Sequence, residues 1–92
     1  ASANSDSSGN RILVVDDEIE ILNTISELIQ LSGYTCDTAS GGLDALKLAE
    51  QHQYALILSD INMPRMNGAQ LFEKLKIMGY KGSFIFLTGY NM

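Results

Sequence analysis

Five polar residues stand where this sequence could do chemistry: Asp16, Asp17 and Glu18 directly after one apolar run, Asp60 after a second and Thr88 after a third. If those runs are parallel strands of one sheet, all five reach the same edge. Three or more carboxylates in one crevice repel one another, so without a counter-ion at least one must hold its proton above the usual range. A divalent cation removes that conflict. Oxygen ligands with no His or Cys near them call for a hard ion, and Mg2+ characteristically takes one or two carboxylates while keeping several waters. A half-hydrated site of that kind is suited to receive a phosphoryl group. Each residue also has a plainer reading: Asp16 and Asp17 as acids favoured at a helix start, Asp60 as the opening of a loop before Asn62 and Pro64, Thr88 as a strand-end hydroxyl. Their coincidence at consecutive strand ends favours the chemical reading.

The segments that would place these residues alternate in period. Residues 12–15 are four consecutive β-favouring apolar residues, as expected of a strand covered on both faces. Residues 18–31 then set Ile21, Leu22, Ile25, Leu28 and Ile29 at helical spacing, with Gly33 suited to the left-handed position that closes a helix. A more polar strand over 34–39 follows. After Gly41 and Gly42 comes a helix whose apolar face is Leu43, Ala45, Leu46 and Ala49. A third strand is predicted over 54–58, ending at Ser59 and Asp60. A third helix over 69–78 shows Leu71, Phe72, Leu75 and Met78 on one side and is punctuated by Gly79, and a fourth strand spans 84–87. Strands joined by helices run parallel with right-handed crossovers. The expected fold is therefore a doubly wound α/β sheet, with its ligand site beyond the carboxyl ends of the strands.

Size and composition narrow the class. With 92 residues, 46% of them hydrophobic and one proline, the chain is one domain at most and is not fibrous or disordered. No apolar run approaches the roughly 20 residues needed to cross a bilayer. Six basic residues against eleven acidic ones leave a net charge of −5, which disfavours direct contact with nucleic acid or an anionic membrane. A single cysteine, Cys36, forms no internal disulfide, so a reducing, cytoplasmic setting is expected. Cys36 itself reads as a small buried hydrophobe. His52, the sole histidine, reads as a surface residue near a helix C-terminus. Residues 1–10, ASANSDSSGN, read as a flexible tail, a linker end or a tag remnant.

Three runs together, RILVVDDE at 11–18, LILSDINMPRMNG at 56–68 and FIFLTGY at 84–90, resemble the receiver domain of two-component response regulators, the chemotaxis-regulator-like superfamily. An acidic pair alone is a weak signal, whereas the pair combined with D-x-x-M-P-x-M-x-G is a strong one. The resemblance spans residues 11–92 and implies the flavodoxin-like strand order 2-1-3-4(-5). It implies that Asp60 is the phosphoacceptor, that Asp17 and Asp60 bind Mg2+ directly, that Asp16 holds it through water and that the main-chain carbonyl of Asn62 completes the protein's ligands. Glu18 would stand just behind those ligands. Thr88 would be the switch hydroxyl, and Asn62 and Tyr90 would flank the water that hydrolyses the product and so tune its lifetime. The implied partners are a histidine kinase or phosphotransfer protein and an output domain in the same chain. The implied activity is phospho-acceptance with slow self-dephosphorylation, not enzymatic turnover.

Two features of the family pattern are missing from residues 11–92: a lysine at the end of a fifth strand, and the last helices. Lys81 precedes strand four and so falls roughly 20 Å from the carboxyl edge, at about 3.3 Å per residue. Arg65 reads as a solvent-facing loop charge. Strand four is then expected to be an edge whose residues 84–87 lose part of their cover, and a longer chain or a second copy forming a homodimer would supply it. Residues 11–92 accordingly read as a receiver domain incomplete at its C-terminal side. Two other functions compete with the phospho-accepting module. An aspartate-nucleophile phosphohydrolase would use similar carboxylates and Mg2+, but it calls for a second Asp where Asn62 stands. A receiver-like interaction module that no longer switches is motivated by the missing lysine.

Overall fold

The alternation of strand-length and helix-period segments becomes, in a computed structural model that describes residues 11–87, four strands and three helices. They run β1 (Arg11–Val15), α1 (Ile19–Leu31), β2 (Thr35–Ala39), α2 (Gly42–Gln51), β3 (Leu56–Asp60), α3 (Gly68–Met78) and β4 (Ser83–Leu87). All neighbouring strands are parallel and the order is β2-β1-β3-β4, the topology expected from the sequence.

Successive strand residues point to opposite faces, so the two faces of the sheet carry separate cores. On one face Leu13, Val15 and Ile57 meet Ala45 of α2, Leu71 and Leu75 of α3, and Met63 and Met66 of the loop between β3 and α3. On the other, Ile12 and Val14 meet Leu22 of α1, with Ile25, Ile29, Leu56, Leu58 and Leu87 packed around them. β1 is buried on both faces, under α1 on one and under the core shared with α2 and α3 on the other, which is why its sequence is a continuous apolar run.

The helix ends carry the expected punctuation. Gly33 and Gly79 both adopt φ +97°, a left-handed conformation that costs glycine nothing. At the other end of α3, the Asn67 side chain accepts from the Gln70 N–H at 2.8 Å, while the Gln70 side chain accepts from the Asn67 N–H at 3.0 Å.

Several boundaries and faces differ from the sequence expectation. β3 is shifted two residues toward the C-terminus, because Ser59 and Asp60 pair with Phe86 and Leu87 and so belong to the ladder. Tyr34 falls before β2, and Cys36 is half-buried, not enclosed. Leu28 (60% exposed) and Leu43 (56% exposed) lie at helical spacing yet outside both cores, and Met78 is also exposed. α1 packs on β1 and β2, so a residue on its far flank has no strand beneath it. Among the described strands β4 has a neighbour on one side only, as expected, and Ile85 is 50% exposed there. Its other face is partly covered by an aromatic group in which the Phe72, Phe84 and Phe86 rings lie 5.0 to 6.5 Å apart.

One polar cluster was not visible in the sequence. Buried Tyr54 donates its hydroxyl to Asp37 Oδ2 at 2.7 Å, and Arg11 Nη1 donates to the same oxygen at 2.9 Å, tying the loop before β3 to β2 and β1. Burial, and next the bond to Asp37, hold the Tyr54 phenol above the ordinary tyrosine range. A phenol raised in the folded state contributes stability that is present below its unfolded pKa and lost as pH rises through the folded one. Tyr54→Phe is therefore expected to lower unfolding free energy by about 1–2 kcal/mol in urea titrations at neutral pH. It should also remove part of the stability loss above pH 10, leaving the part due to Tyr80, which burial pushes up to about 12.

Candidate functional site

The register of the sheet sets the site. Val15 of β1 pairs with Ser59 of β3, so the residues that follow, Asp16 just past β1 and Asp60 as the last residue of β3, stand side by side at one edge of the sheet. The Asp16 N–H donates to the Ala39 carbonyl at 3.1 Å, which holds the acidic turn against the end of β2 as well. Asp16 is only 3% exposed, and its Oδ1 accepts from the Glu18 N–H at 2.9 Å, closing the turn that leads into α1. Asp17 is thereby turned outward. One carboxylate oxygen from each of Asp16, Asp17 and Asp60 lies within 4.8 Å of the others. Asp60 Oδ1 also faces the Asn62 N–H at 3.4 Å, a long contact.

The electrostatics follow from this crowding. Burial is the largest influence raising the Asp16 pKa; the Glu18 N–H opposes it, and the carboxylates of Asp60, Asp17 and Glu18 add to the rise. No arginine or lysine offsets the triad by an ion pair among the described residues: the Arg11–Asp37 bridge forms at the opposite end of β1. A set of hard oxygen donors with excess negative charge and two members open to solvent suits a hard divalent cation such as Mg2+.

The loop 61–67 that leaves Asp60 is pinned along its length. The Gly68 N–H donates to the Ile61 carbonyl at 2.8 Å and closes the loop. A Cβ on Gly68 would stand 2.5 Å from the Asp60 carbonyl oxygen and 3.1 Å from Ile61 Cα, so only glycine permits this approach. Fully buried Ser59 donates its hydroxyl to that same Asp60 carbonyl at 2.9 Å. Met63 and Met66 are buried in the larger core and so anchor the loop from below. Between them Arg65 takes φ +72° and is exposed, as its loop position implied.

Of the residues singled out in the sequence, Asp16, Asp17 and Asp60 are brought together and Asn62 lies beside Asp60. Glu18 contributes its main-chain N–H to Asp16, while its own side chain is exposed. Thr88 and Tyr90 lie outside the described residues; Leu87, the last residue of β4, pairs with Asp60. Lys81 is exposed before the start of β4, away from the acidic edge. The supporting roles of Ser59 and Gly68 were missed. The glycine eight positions after Asp60 was the available signal.

Residues 12–92 match the sequence profile of the response regulator receiver domain. Among curated proteins, a transcriptional regulatory protein CpxR homolog of Haemophilus influenzae is 36% identical over 67 residues, which are 73% of this chain and 29% of that protein. The sensor histidine kinase RcsC of Escherichia coli is 36% identical over 75 residues, 82% of this chain and 8% of that protein. The chain thus spans well under a third of these relatives. Among solved structures, the chemotaxis response regulator CheY4 of Vibrio cholerae superposes with a TM-score of 0.83 at 31% identity, over 89% of this chain and 70% of its own. The response regulator TrrA of Thermotoga maritima, solved in complex with Mg2+ and BeF, superposes with a TM-score of 0.82 at 38% identity, over 89% and 71%.

The crowding of the triad makes a prediction about the metal-free protein. A carboxyl raised in the folded state contributes stability only at low pH and loses it as pH rises through the folded value. Asp16→Asn keeps the acceptor for the Glu18 N–H and removes the repulsion. In the presence of a chelator it is expected to raise the melting temperature at pH 7, with the gain shrinking as pH falls toward 3.8. An unchanged melting temperature would show that the triad is not under electrostatic strain.

Proposed function

The chain belongs to the response regulator receiver family, and on that premise we propose that it accepts a phosphoryl group on Asp60 from the phosphohistidine of a kinase or phosphotransfer protein. The observation that carries this reading is the meeting of Asp16, Asp17 and Asp60 at one sheet edge, with Asp60 open enough to be reached.

A carboxylate oxygen of Asp60 attacks phosphorus in line with the P–N bond. The new O–P bond forms as the P–N bond breaks, and its electron pair returns to the imidazole. Phosphoryl transfer depends chiefly on positioning and on charge stabilisation, and the pinned carbonyl and loop of Asp60 supply the positioning. Mg2+, held directly by Asp17 and Asp60, by the Asn62 main-chain carbonyl and through water by Asp16, would supply the positive charge that lets an anionic nucleophile approach an anionic phosphoryl group. Glu18 stands behind these ligands and adds negative charge that favours the cation. Hydrolysis of the acyl phosphate returns Asp60 and inorganic phosphate, at a rate that Asn62 and Tyr90 would tune. Thr88 follows the strand whose last residue pairs with Asp60, and it is the hydroxyl that would turn toward the phosphoryl oxygens and carry the signal outward.

The partners under this reading are a histidine kinase or phosphotransfer protein and an output domain joined to the receiver in a longer chain. Relatives that carry a similar stretch as a minor part of their length include a transcriptional regulator and a sensor kinase. The free edge of β4 would be covered by further chain or by a second copy.

Incubation with acetyl phosphate and Mg2+ is expected to add the mass of one phosphoryl group, and Asp60→Asn is expected to abolish the gain. A gain that survives in Asp60→Asn, or none in the parent protein, would overturn the assignment. Thr88→Ala is expected to accept the phosphoryl group while losing any phosphorylation-dependent change in partner affinity, measured by titration calorimetry. An undiminished change in that variant would remove Thr88 from the switch.

A further inference from the structure

We propose that Gly42, the first residue of α2, is a positioning residue for the Mg2+ site, because its bare Cα is the seat on which Met66 fixes the loop carrying Asn62. The inference rests on the reading of Asp16, Asp17, Asp60 and Asn62 as the residues that hold Mg2+.

Gly42 is distant in sequence from the loop that it touches. A Cβ built on it would lie 2.6 Å from Met66 Sδ, 2.9 Å from Met66 Cγ and 3.0 Å from Met66 Cβ. Three consecutive atoms of one side chain therefore run along the glycine. Swinging the thioether aside would relieve the first contact but not the last, since the Cβ moves only with the backbone. Met66 is buried, so it has no solvent to turn into. Gly42 and Met66 also line one cleft, together with Gly41, Asp44, Pro64 and Arg65, so the first turn of α2 faces the loop directly.

Backbone geometry offers no other reason for glycine at this position. Among the described residues the left-handed glycines are Gly33 and Gly79, so a residue with a side chain could adopt the Gly42 conformation. Alanine is the better helix former, and by that argument alone it would be favoured here. The neighbouring Gly41 supplies the contrast. It caps α2 with extended backbone, φ −172° and ψ 174°, and a Cβ there would meet nothing within 4 Å.

From Met66 the constraint passes along a short stretch of chain. Two residues later Gly68 closes the loop onto Ile61 and sits against the Asp60 carbonyl, so displacing Met66 moves a loop both of whose ends are fixed. The displacement falls on the residues between, and Asn62 is among them. Outer residues that orient metal ligands typically alter metal affinity by about 10–100-fold when they are changed.

The test is a calorimetric titration of Mg2+ into the parent protein, G42A, G41A, M66A and the double variant G42A/M66A, each also melted without metal. G42A is expected to bind Mg2+ about tenfold more weakly and, because the crowded Met66 belongs to the core, to melt lower than the parent without metal, and G41A is expected to match the parent. In the M66A background, where the seat is vacant, adding G42A is expected to change nothing, which separates a contact with Met66 from a general effect on α2. Equal affinity in G42A and a parent that binds Mg2+ would overturn the inference and leave the functional reading standing. The same holds if the loss recurs in full on the M66A background. A parent that does not bind Mg2+ would overturn both. If G42A does not fold, M66A decides: affinity equal to the parent overturns the seat, and a loss of about tenfold supports it.

Discussion

The mutual repulsion of three carboxylates at one edge of a parallel sheet is the constraint around which the rest of the molecule is arranged. Parallel pairing of β1 with β3 leaves no choice about where Asp16 and Asp60 emerge, and the turn into α1 adds Asp17. Burying Asp16 makes the repulsion more costly and lifts its pKa. A fold seeking stability alone would separate these groups. Here they are held together by a main-chain bond from the Asp16 N–H to the Ala39 carbonyl, which does not depend on the charge of the site, and by the Glu18 N–H, which donates to the Asp16 carboxylate itself and favours its charged form.

The apolar parts of the structure serve the same end. The larger core draws in Met63 and Met66 from the loop after Asp60, so hydrophobic burial anchors a segment that would otherwise be free to swing. Close approaches at Gly42 and Gly68 then set the loop against α2 and against the Asp60 carbonyl. The site is thus rigid beneath and open above: Ser59 is sealed under Asp60, while Asp17 and Asn62 face solvent.

Helix count, parallel pairing and the acidic triad were legible in the sequence because each rests on a local pattern, apolar runs, helical spacing and acids placed after strands, whereas the strand order followed from the resemblance to receiver domains. What was not legible depends on which elements become neighbours. Leu28 and Leu43 fit the helical period of their segments, but period alone does not say whether a strand lies beneath a given flank. The Tyr54–Asp37–Arg11 cluster joins residues from three elements that only the sheet register brings together. The end of β3 was misplaced by two residues because Ser59 and Asp60 look like loop residues by composition, yet the ladder to β4 continues through them. A glycine signals a turn, a left-handed residue or a close approach without distinguishing them. Gly33 was legible for the first reason that applied, whereas Gly68 needed the structure.

The position of β1 at the centre of the sheet and of β4 at its rim has a consequence for motion. Hydrogen bonds in a strand flanked on both sides open only when a large part of the domain opens with them, whereas those of a strand with one neighbour open at much lower cost. Among the described strands, amide exchange should therefore be slower along β1 and β3 than along β2 and β4. The acidic cluster sits across that gradient, with Asp16 and Asp17 following the inner strand β1 and Asp60, at the end of inner β3, paired to the rim strand β4. Among the described residues, Asp60 thus stands between a strand held from both sides, β1, and one held from a single side, β4.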